Sequence, residues 1–140
     1  MTLIVDAGVL VAQADLRHPA HGSSAELLRS EPGALVTSEA AATEADYLIG
    51  KYLGRDAEGA FLRDLAARTF QVEWMTQADL VAASRIVQRY GDLGLGFADA
   101  SIIVLAHRHK TTTIATLDLR HFRAVEPLQG GHFTILPADA

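Results

Sequence analysis

Short apolar segments alternate with longer segments of helical periodicity along the whole chain. Five of the short segments have the length and the composition of strands: Leu3–Val5, Ala34–Thr37, Phe70–Met75, Thr111–Leu117 and Phe133–Leu136. Apolar strands separated by helices are typical of parallel sheets, because a parallel connection needs a crossover long enough to hold a helix. The pattern therefore predicts a three-layer α/β/α sandwich with a mainly parallel central sheet, in which the last strand lies at an edge.

The segments between these strands carry the start and stop signals of helices. We expect helices over Ala7–Asp15, after Pro19, over Ser38–Tyr52, after Asp56, after Thr76 and over Ala98–His109. Asp56 and Thr76 are predicted to be the N-caps of their helices. The chain has 140 residues and shows no linker or internal repeat, so we expect one domain over residues 1–140.

The composition excludes several classes of protein. Cysteine is absent, which removes disulfide scaffolds, thiolate nucleophiles and thiolate zinc sites, and is compatible with a reducing compartment. No segment approaches the roughly 18 apolar residues of a membrane span, and no basic start of a signal peptide precedes Asp6. We therefore expect a cytoplasmic protein that does not bind a membrane. The net charge of −5 counts against nucleic-acid binding, since cations drive most phosphate binding.

Three aspartates stand at the ends of predicted elements. Asp6 and Asp118 each follow an apolar strand directly, and Asp99 opens the most apolar helix of the chain. Ligands of parallel sheets bind beyond the carboxyl ends of the strands, so two acids that follow two strands can converge at one edge. Each aspartate could instead only cap a helix N-terminus, where its charge is favoured by the helix dipole.

Glu44 is a fourth candidate. On the helix Ser38–Tyr52 it shares a face with Ala40, Ala41, Tyr47 and Leu48, and we expect that apolar face to point inward. A buried carboxylate costs several kcal/mol unless it is paired or binds a metal. Glu44 is therefore predicted either to ligate a metal or to pair with a buried arginine.

Together the four carboxylates form an all-oxygen set with no clear histidine partner: Asp6, Glu44, Asp99 and Asp118. Crowded carboxylates repel one another unless a cation neutralises them, and oxygen ligands suit Mg²⁺, with Mn²⁺ as the alternative. Such an ion activates water and stabilises charge on a phosphoryl group. The set therefore predicts phosphodiester hydrolysis.

Basic residues cluster near the end of the chain. The segment from His107 to Arg123 contains four of them, which are Arg108, Lys110, Arg120 and Arg123. We expect them to contact RNA phosphates beside Asp99 and Asp118, although a solvated face explains them equally well. His18 and His21 have no third ligand in the sequence and are expected on the surface.

Four segments around the acids resemble the PIN-domain ribonucleases, and among them the VapC-type toxins of bacterial toxin–antitoxin modules. The matching segments, which span almost the whole chain in order, are Ile4–Leu10, Thr43–Leu48, Gly96–Ile102 and Ala115–Phe122. The resemblance implies that Asp6, Glu44 and Asp99 surround the metal. It also implies that Asp118 is a more peripheral acid and that Thr116 is a hydroxyl beside the site. Where the family often has a hydroxyl residue, this chain has Gly8.

The same resemblance implies an activity and partners. It predicts a Mg²⁺-dependent endoribonuclease toxin that cleaves structured RNA, such as a transfer or ribosomal RNA loop, by means of a metal-activated water. It further predicts a homodimer and inhibition by a cognate VapB-type antitoxin, which can place a basic side chain in the acidic pocket. The alternatives are a PIN-fold nuclease that acts on other RNA or on DNA, and a non-catalytic binding module whose acids only cap helices.

Overall fold

A computed structural model describes residues 2–140. Its five strands form one parallel sheet. The strands are β1 (Thr2–Val5), β2 (Ala34–Ser38), β3 (Gln71–Glu73), β4 (Thr113–Ala115) and β5 (Thr134–Leu136). Their spatial order is β3-β2-β1-β4-β5, and every neighbouring pair is parallel. The predicted parallel sheet is therefore confirmed, and β5 is an edge strand as expected.

Seven helices connect and cover these strands. They are α1 (Ala7–Ala14), α2 (His21–Ser30), α3 (Glu39–Leu53), α4 (Arg55–Ala66), α5 (Gln77–Arg89), α6 (Phe97–Arg108) and α7 (Leu119–Ala124). The strand order runs one way from β1 to β3 and the other way from β4 to β5. Because parallel crossovers are right-handed, α1–α4 cover one face of the sheet and α5–α7 the other. This arrangement is the predicted α/β sandwich.

The core is built around β1 and α6. Leu3, Ile4 and Val5 are buried, and so is every residue of α6 from 100 to 106. The prediction that α6 is the most apolar helix is wrong, because Gln13 is the only polar side chain of α1; α6 instead has the longest run of buried residues. Two buried hydroxyls join α6 to the start of α3, because Ser101 Oγ lies 2.6 Å from the Oγ of the α3 N-cap Ser38.

The two predicted helix caps differ in outcome. Thr76 caps α5 as expected, since its hydroxyl accepts the Asp79 N–H at 3.1 Å while the Asp79 carboxylate accepts the Thr76 N–H at 2.9 Å. The prediction for Asp56 is wrong, because α4 begins at Arg55 and its N-cap is Gly54. Gly54 has φ +95°, a left-handed conformation that ends α3 and starts α4 within one residue.

The outer edge of β5 is closed by the end of the chain. The Ile135 N–H donates to the Asp139 carboxylate and the Asp139 N–H donates to the Ile135 carbonyl, both at 2.7 Å. Arg123 holds the same carboxylate in place with bonds of 2.5 and 2.9 Å. Because these groups are satisfied, the edge at Ile135 cannot accept a further strand. None of the helices described in residues 2–140 has the length and apolarity needed to cross a membrane.

Candidate metal centre

The candidate site lies where the strand order reverses. β1 and β4 are neighbours at that point, and their carboxyl ends lead directly into Asp6 and Thr116. The Asp6 N–H donates to the Ala115 carbonyl at 2.9 Å, which continues the pairing of the two strands by one residue. Parallel sheets bind ligands at such a switch point. The chain topology therefore brings the first and the last acids of the predicted set together.

Asp6 is the most buried of the four acids, with 5% of its surface exposed. One carboxylate oxygen accepts the Ala7 N–H at 2.8 Å, which caps α1, and the other accepts the Thr116 hydroxyl at 2.8 Å. Desolvation, together with the charges of Asp99 and Glu44, outweighs these hydrogen bonds and raises the pKa of Asp6 to about 6. Asp6 therefore both caps α1 and belongs to the cluster of four acids.

Thr116 joins two of the acids. Its buried hydroxyl donates to Asp6 and accepts the Asp118 N–H at 3.0 Å. Gly8 bears no hydroxyl, and a Cβ built at that position would lie 3.7 Å from the Leu117 side chain, which is ordinary contact. Space therefore does not require glycine at position 8, and Thr116 supplies the hydroxyl bond to Asp6.

Glu44 lies on a different face of α3 from the one predicted. The buried stripe of the helix consists of Ala41, Ala42, Ala45 and Ile49, whereas Glu44 and Tyr47 are exposed. The prediction of an inward-facing Glu44 is wrong, because the small alanines pack against the core. Glu44 reaches the site from the solvent side, where partial burial and then the charges of Asp99 and Asp118 raise its pKa.

Asp99 and Asp118 meet at a histidine that the sequence analysis did not assign to the site. His121 Nδ1 lies 2.8 Å from Asp118 Oδ2 and 3.2 Å from Asp99 Oδ2. Asp118 caps α7 by accepting the His121 N–H at 3.0 Å, and Asp99 accepts the Gly96 N–H at 3.3 Å. The expectation of no histidine partner is therefore wrong. The available signal was the spacing, since His121 follows the cap residue by three positions.

These groups line one open cavity of about 550 Å³. Its wall contains all four acids, His121 and the half-buried His18, which we had expected on the surface. Within residues 2–140 no lysine or arginine lines this cavity or forms an ion pair with any of the four acids. The alternative of a Glu44–arginine pair is therefore wrong.

The donor set fits a divalent cation. Asp99, Asp118 and His121 each offer an atom within 4.8 Å of the others, and His121 Nδ1 is buried without a hydrogen-bond partner. Carboxylate and imidazole groups gathered without a compensating basic side chain are the ligands that divalent ions take in proteins. Asp6 and Glu44 line the same cavity outside this close group, so the five groups have room for one or two such ions.

The four basic residues of the predicted RNA contact lie in different places. Arg108 is at the opposite end of α6 from Asp99, about 14 Å away along the helix axis, and bonds to Glu73 and to the Trp74 carbonyl at 2.9 and 3.1 Å and to Asp79. Lys110 lies beyond that end of the helix. Arg123 is paired with Asp139 at the β5 edge. Arg120 is exposed and two residues from Asp118.

Comparison with known proteins identifies the family. The PIN domain model matches residues 3–127. Ribonuclease VapC26 of Mycobacterium tuberculosis is 42% identical to this chain over 135 residues, which cover 96% of this chain and 100% of that protein.

Solved structures with the same fold include three at lower identity. VapC20 of Mycobacterium tuberculosis, a sarcin–ricin loop cleaving toxin, has a TM-score of 0.75 at 20% identity and covers 80% of this chain and 86% of its own. VapBC2 of Rickettsia felis, bound to a promoter DNA fragment, has a TM-score of 0.69 at 14% identity and covers 96% of this chain and 98% of its own. FitAcB of Neisseria gonorrhoeae has a TM-score of 0.65 at 16% identity and covers 96% of this chain and 97% of its own. This chain therefore belongs to the PIN-domain family and, within it, to the VapC-type ribonucleases.

Proposed function

We propose that this VapC-type endoribonuclease cleaves structured RNA at the acidic cavity and that Asp6, Glu44, Asp99 and Asp118 hold the divalent ion required for cleavage. One observation carries the proposal: four carboxylates and a buried imidazole nitrogen share a cavity that no lysine or arginine of residues 2–140 lines. Carboxylates held close together repel one another and reduce folding stability, and such an arrangement is characteristic of functional sites.

The protein groups prepare the site in defined ways. The Thr116 hydroxyl and the Ala7 N–H fix both oxygens of Asp6, so this carboxylate keeps one orientation. Asp99 lies in the first turn of α6, where the helix dipole stabilises its negative charge. Glu44 approaches from the solvent side and adds a fourth carboxylate to the cavity wall. A divalent ion bound here would lower the pKa of a coordinated water and neutralise charge on the scissile phosphate.

The open cavity and the exposed Arg120 near Asp118 support a proposal for the substrate. We propose a loop of transfer or ribosomal RNA, which can present a phosphate to an open, solvent-facing site. VapC20, which shares the fold, cleaves the sarcin–ricin loop. Arg120 is exposed and two residues from Asp118, so it is proposed to contact a neighbouring phosphate. Contacts from Arg108, Lys110 and Arg123 remain predictions, and RNA would have to replace the present ion pairs of Arg108 and Arg123.

The proposed partner is a VapB-type antitoxin, and the proposed assembly is a homodimer. The acidic cavity would accept a basic antitoxin side chain by ion pairing, which excludes both metal and RNA phosphate. Tyr47 and Tyr52 on α3 are 62% and 69% exposed, so they are available to a partner chain.

The test is cleavage in cells and in solution. Brief expression of the wild-type chain should create new RNA 5′ ends at one or a few sites, and Asp6→Ala should abolish them. Asp56→Ala, which changes an exposed acid on α4 far from the cavity, should cut as the wild type does. The purified chain should then cut the mapped RNA, but not a DNA oligonucleotide of the same sequence, when Mg²⁺ or Mn²⁺ is added. Identical 5′ ends in the wild type and Asp6→Ala would contradict the proposal.

A further inference from the structure

The two ring nitrogens of His121 have different environments. Nε2 lies 3.1 Å from the Leu93 carbonyl oxygen, which can only accept a hydrogen bond, so this nitrogen carries the ring hydrogen. Nδ1 is buried and has no hydrogen-bond partner, although it lies close to carboxylate oxygens of Asp99 and Asp118. Neither of these two contacts has hydrogen-bond geometry. Nδ1 is therefore left between two carboxylate oxygens without a hydrogen-bond partner, where a cation would contact all three atoms.

The Leu93 carbonyl is itself held in place. Leu93 ends a 3₁₀ turn over Gly91–Leu93, which a bond from the Gly94 N–H to the Gly91 carbonyl closes at 3.1 Å. Gly94 has φ +74°, a conformation that glycine adopts without strain. The turn thus fixes the acceptor that orients the His121 ring. Histidines that bind metals almost always donate their other ring N–H to a carbonyl or carboxylate in this way.

From this geometry we propose that His121 Nδ1 is a nitrogen ligand of the divalent ion, alongside Asp99 and Asp118. The proposal rests on the proposed function, since it concerns the ion in the same cavity. Its consequence is a change in metal preference. An all-oxygen site suits Mg²⁺, whereas imidazole binds transition ions better. A mixed set of nitrogen and oxygen donors therefore favours Mn²⁺ over Mg²⁺, in contrast to the Mg²⁺ expected from the carboxylates alone.

The direct test is pulsed electron paramagnetic resonance of the wild-type chain with one equivalent of Mn²⁺. A nitrogen ligand produces a ¹⁴N coupling in the electron spin echo modulation, and we expect this coupling in the wild type and its loss in His121→Gln. His18→Gln is the matched control, because His18 lines the same cavity while its Nδ1 already accepts the Ala20 N–H at 3.0 Å. The coupling should remain in His18→Gln.

Calorimetry supplies a second readout that does not depend on cleavage. His121→Gln should weaken Mn²⁺ binding about 10- to 100-fold and should weaken Mg²⁺ binding much less. Mn²⁺ that binds the wild type without a ¹⁴N coupling, or a coupling lost in His18→Gln and kept in His121→Gln, would overturn the proposal while leaving the metal-dependent nuclease intact. Failure of the wild type to bind any divalent ion would overturn both. The wild-type spectrum decides the matter even if His121→Gln does not fold.

Discussion

The two ends of α6 carry the same kinds of side chain in opposite arrangements. At the end near residue 108, Arg108 and His109 lie against Glu73 and Asp79, so each carboxylate has a partner of opposite charge within ion-pair distance. At the end near Asp99, the carboxylates face one another and a histidine nitrogen. We call the first the paired end and the second the acidic end.

The pKa values of the carboxylates separate the two ends. At the paired end, burial alone would raise the pKa of Glu73, but hydrogen bonds from His109 and Arg108 lower it below its ordinary value, and Asp79 behaves in the same way through Thr76 and Arg108. At the acidic end, burial and like charges raise the pKa of Asp6 and of Glu44. The paired end thus contributes to folding stability, whereas the acidic end reduces it and is suited to binding a cation.

The largest expected effect is on cleavage by Asp99→Asn. Loss of groups that only support metal ligands costs about 10- to 100-fold, so loss of a ligand should reduce single-turnover cleavage by about 100-fold or more. The fold should survive, since an asparagine oxygen can still accept the Gly96 N–H. The matched variant Asp79→Asn changes an aspartate at the paired end and should cleave at the wild-type rate. Equal losses in both variants would show that the two ends do not differ in function.

The next effect concerns stability without metal. Because the folded state keeps a proton on Asp6 up to about pH 6 and the unfolded state loses it near the ordinary pKa, the free energy of unfolding should fall as pH rises between these values. Asp6→Asn removes this penalty and should stabilise the metal-free chain by up to about 3 kcal/mol at pH 8. Urea unfolding in a chelator measures this. If Asp6→Asn is instead less stable and its stability depends on pH as in the wild type, the Asp6 charge does not destabilise the metal-free chain.

The paired end should respond in the opposite direction. Arg108→Met removes the partner of Glu73 and Asp79 and should destabilise the chain by about 1–2 kcal/mol. This lies between the values for hydrogen bonds to charged groups and those for exposed ion pairs, because 32% of the Arg108 side chain is exposed. The stabilisation from Glu73 and Asp79 is present above their unfolded pKa values and is lost as pH falls through the folded ones. Cleavage should not change, and a raised KM would instead support the predicted RNA contact of Arg108.

The smallest expected effect is on RNA affinity. Arg120→Gln should reduce the slope of log binding constant against log salt concentration by about 1, which corresponds to one lost phosphate contact. Arg63→Gln, an exposed arginine on α4, is the control and should leave the slope unchanged. An unchanged slope in Arg120→Gln would contradict a phosphate contact from Arg120 beside the acidic end.

The sequence predicted the positions of the acids better than their surroundings. Asp6, Asp99 and Asp118 were located because strand and helix ends are legible in the pattern of apolar residues. Glu44 was assigned to the wrong face of α3, since helical spacing alone does not say whether alanines or larger residues pack on the core. The alternating pattern also overestimated strand length, because β4 is only three residues long.

His121 shows what the sequence could not convey. In the sequence it lies within the segment from His107 to Arg123 that contains the four basic residues, and nothing there marks it as a metal ligand. Its place in the site depends on the Leu93 carbonyl, 28 positions away. It also depends on the packing that brings Asp99 of α6 close to Asp118 and His121 at α7. Arg108 was misleading for the same reason, because its partners Glu73 and Asp79 are equally remote in sequence. Whether a charged side chain forms an ion pair depends on residues that are distant in the sequence. The spacing of residues along one helix or strand does not reveal those partners.

Titration calorimetry with Mn²⁺ is the most direct test of the central claim that the acidic end of α6 binds a divalent ion and the paired end does not. The wild type and Asp79→Asn should bind Mn²⁺ with the same affinity. Asp99→Asn should bind it about 100-fold more weakly or not measurably. Wild-type affinity in Asp99→Asn, or equal weakening in Asp79→Asn, would contradict the claim.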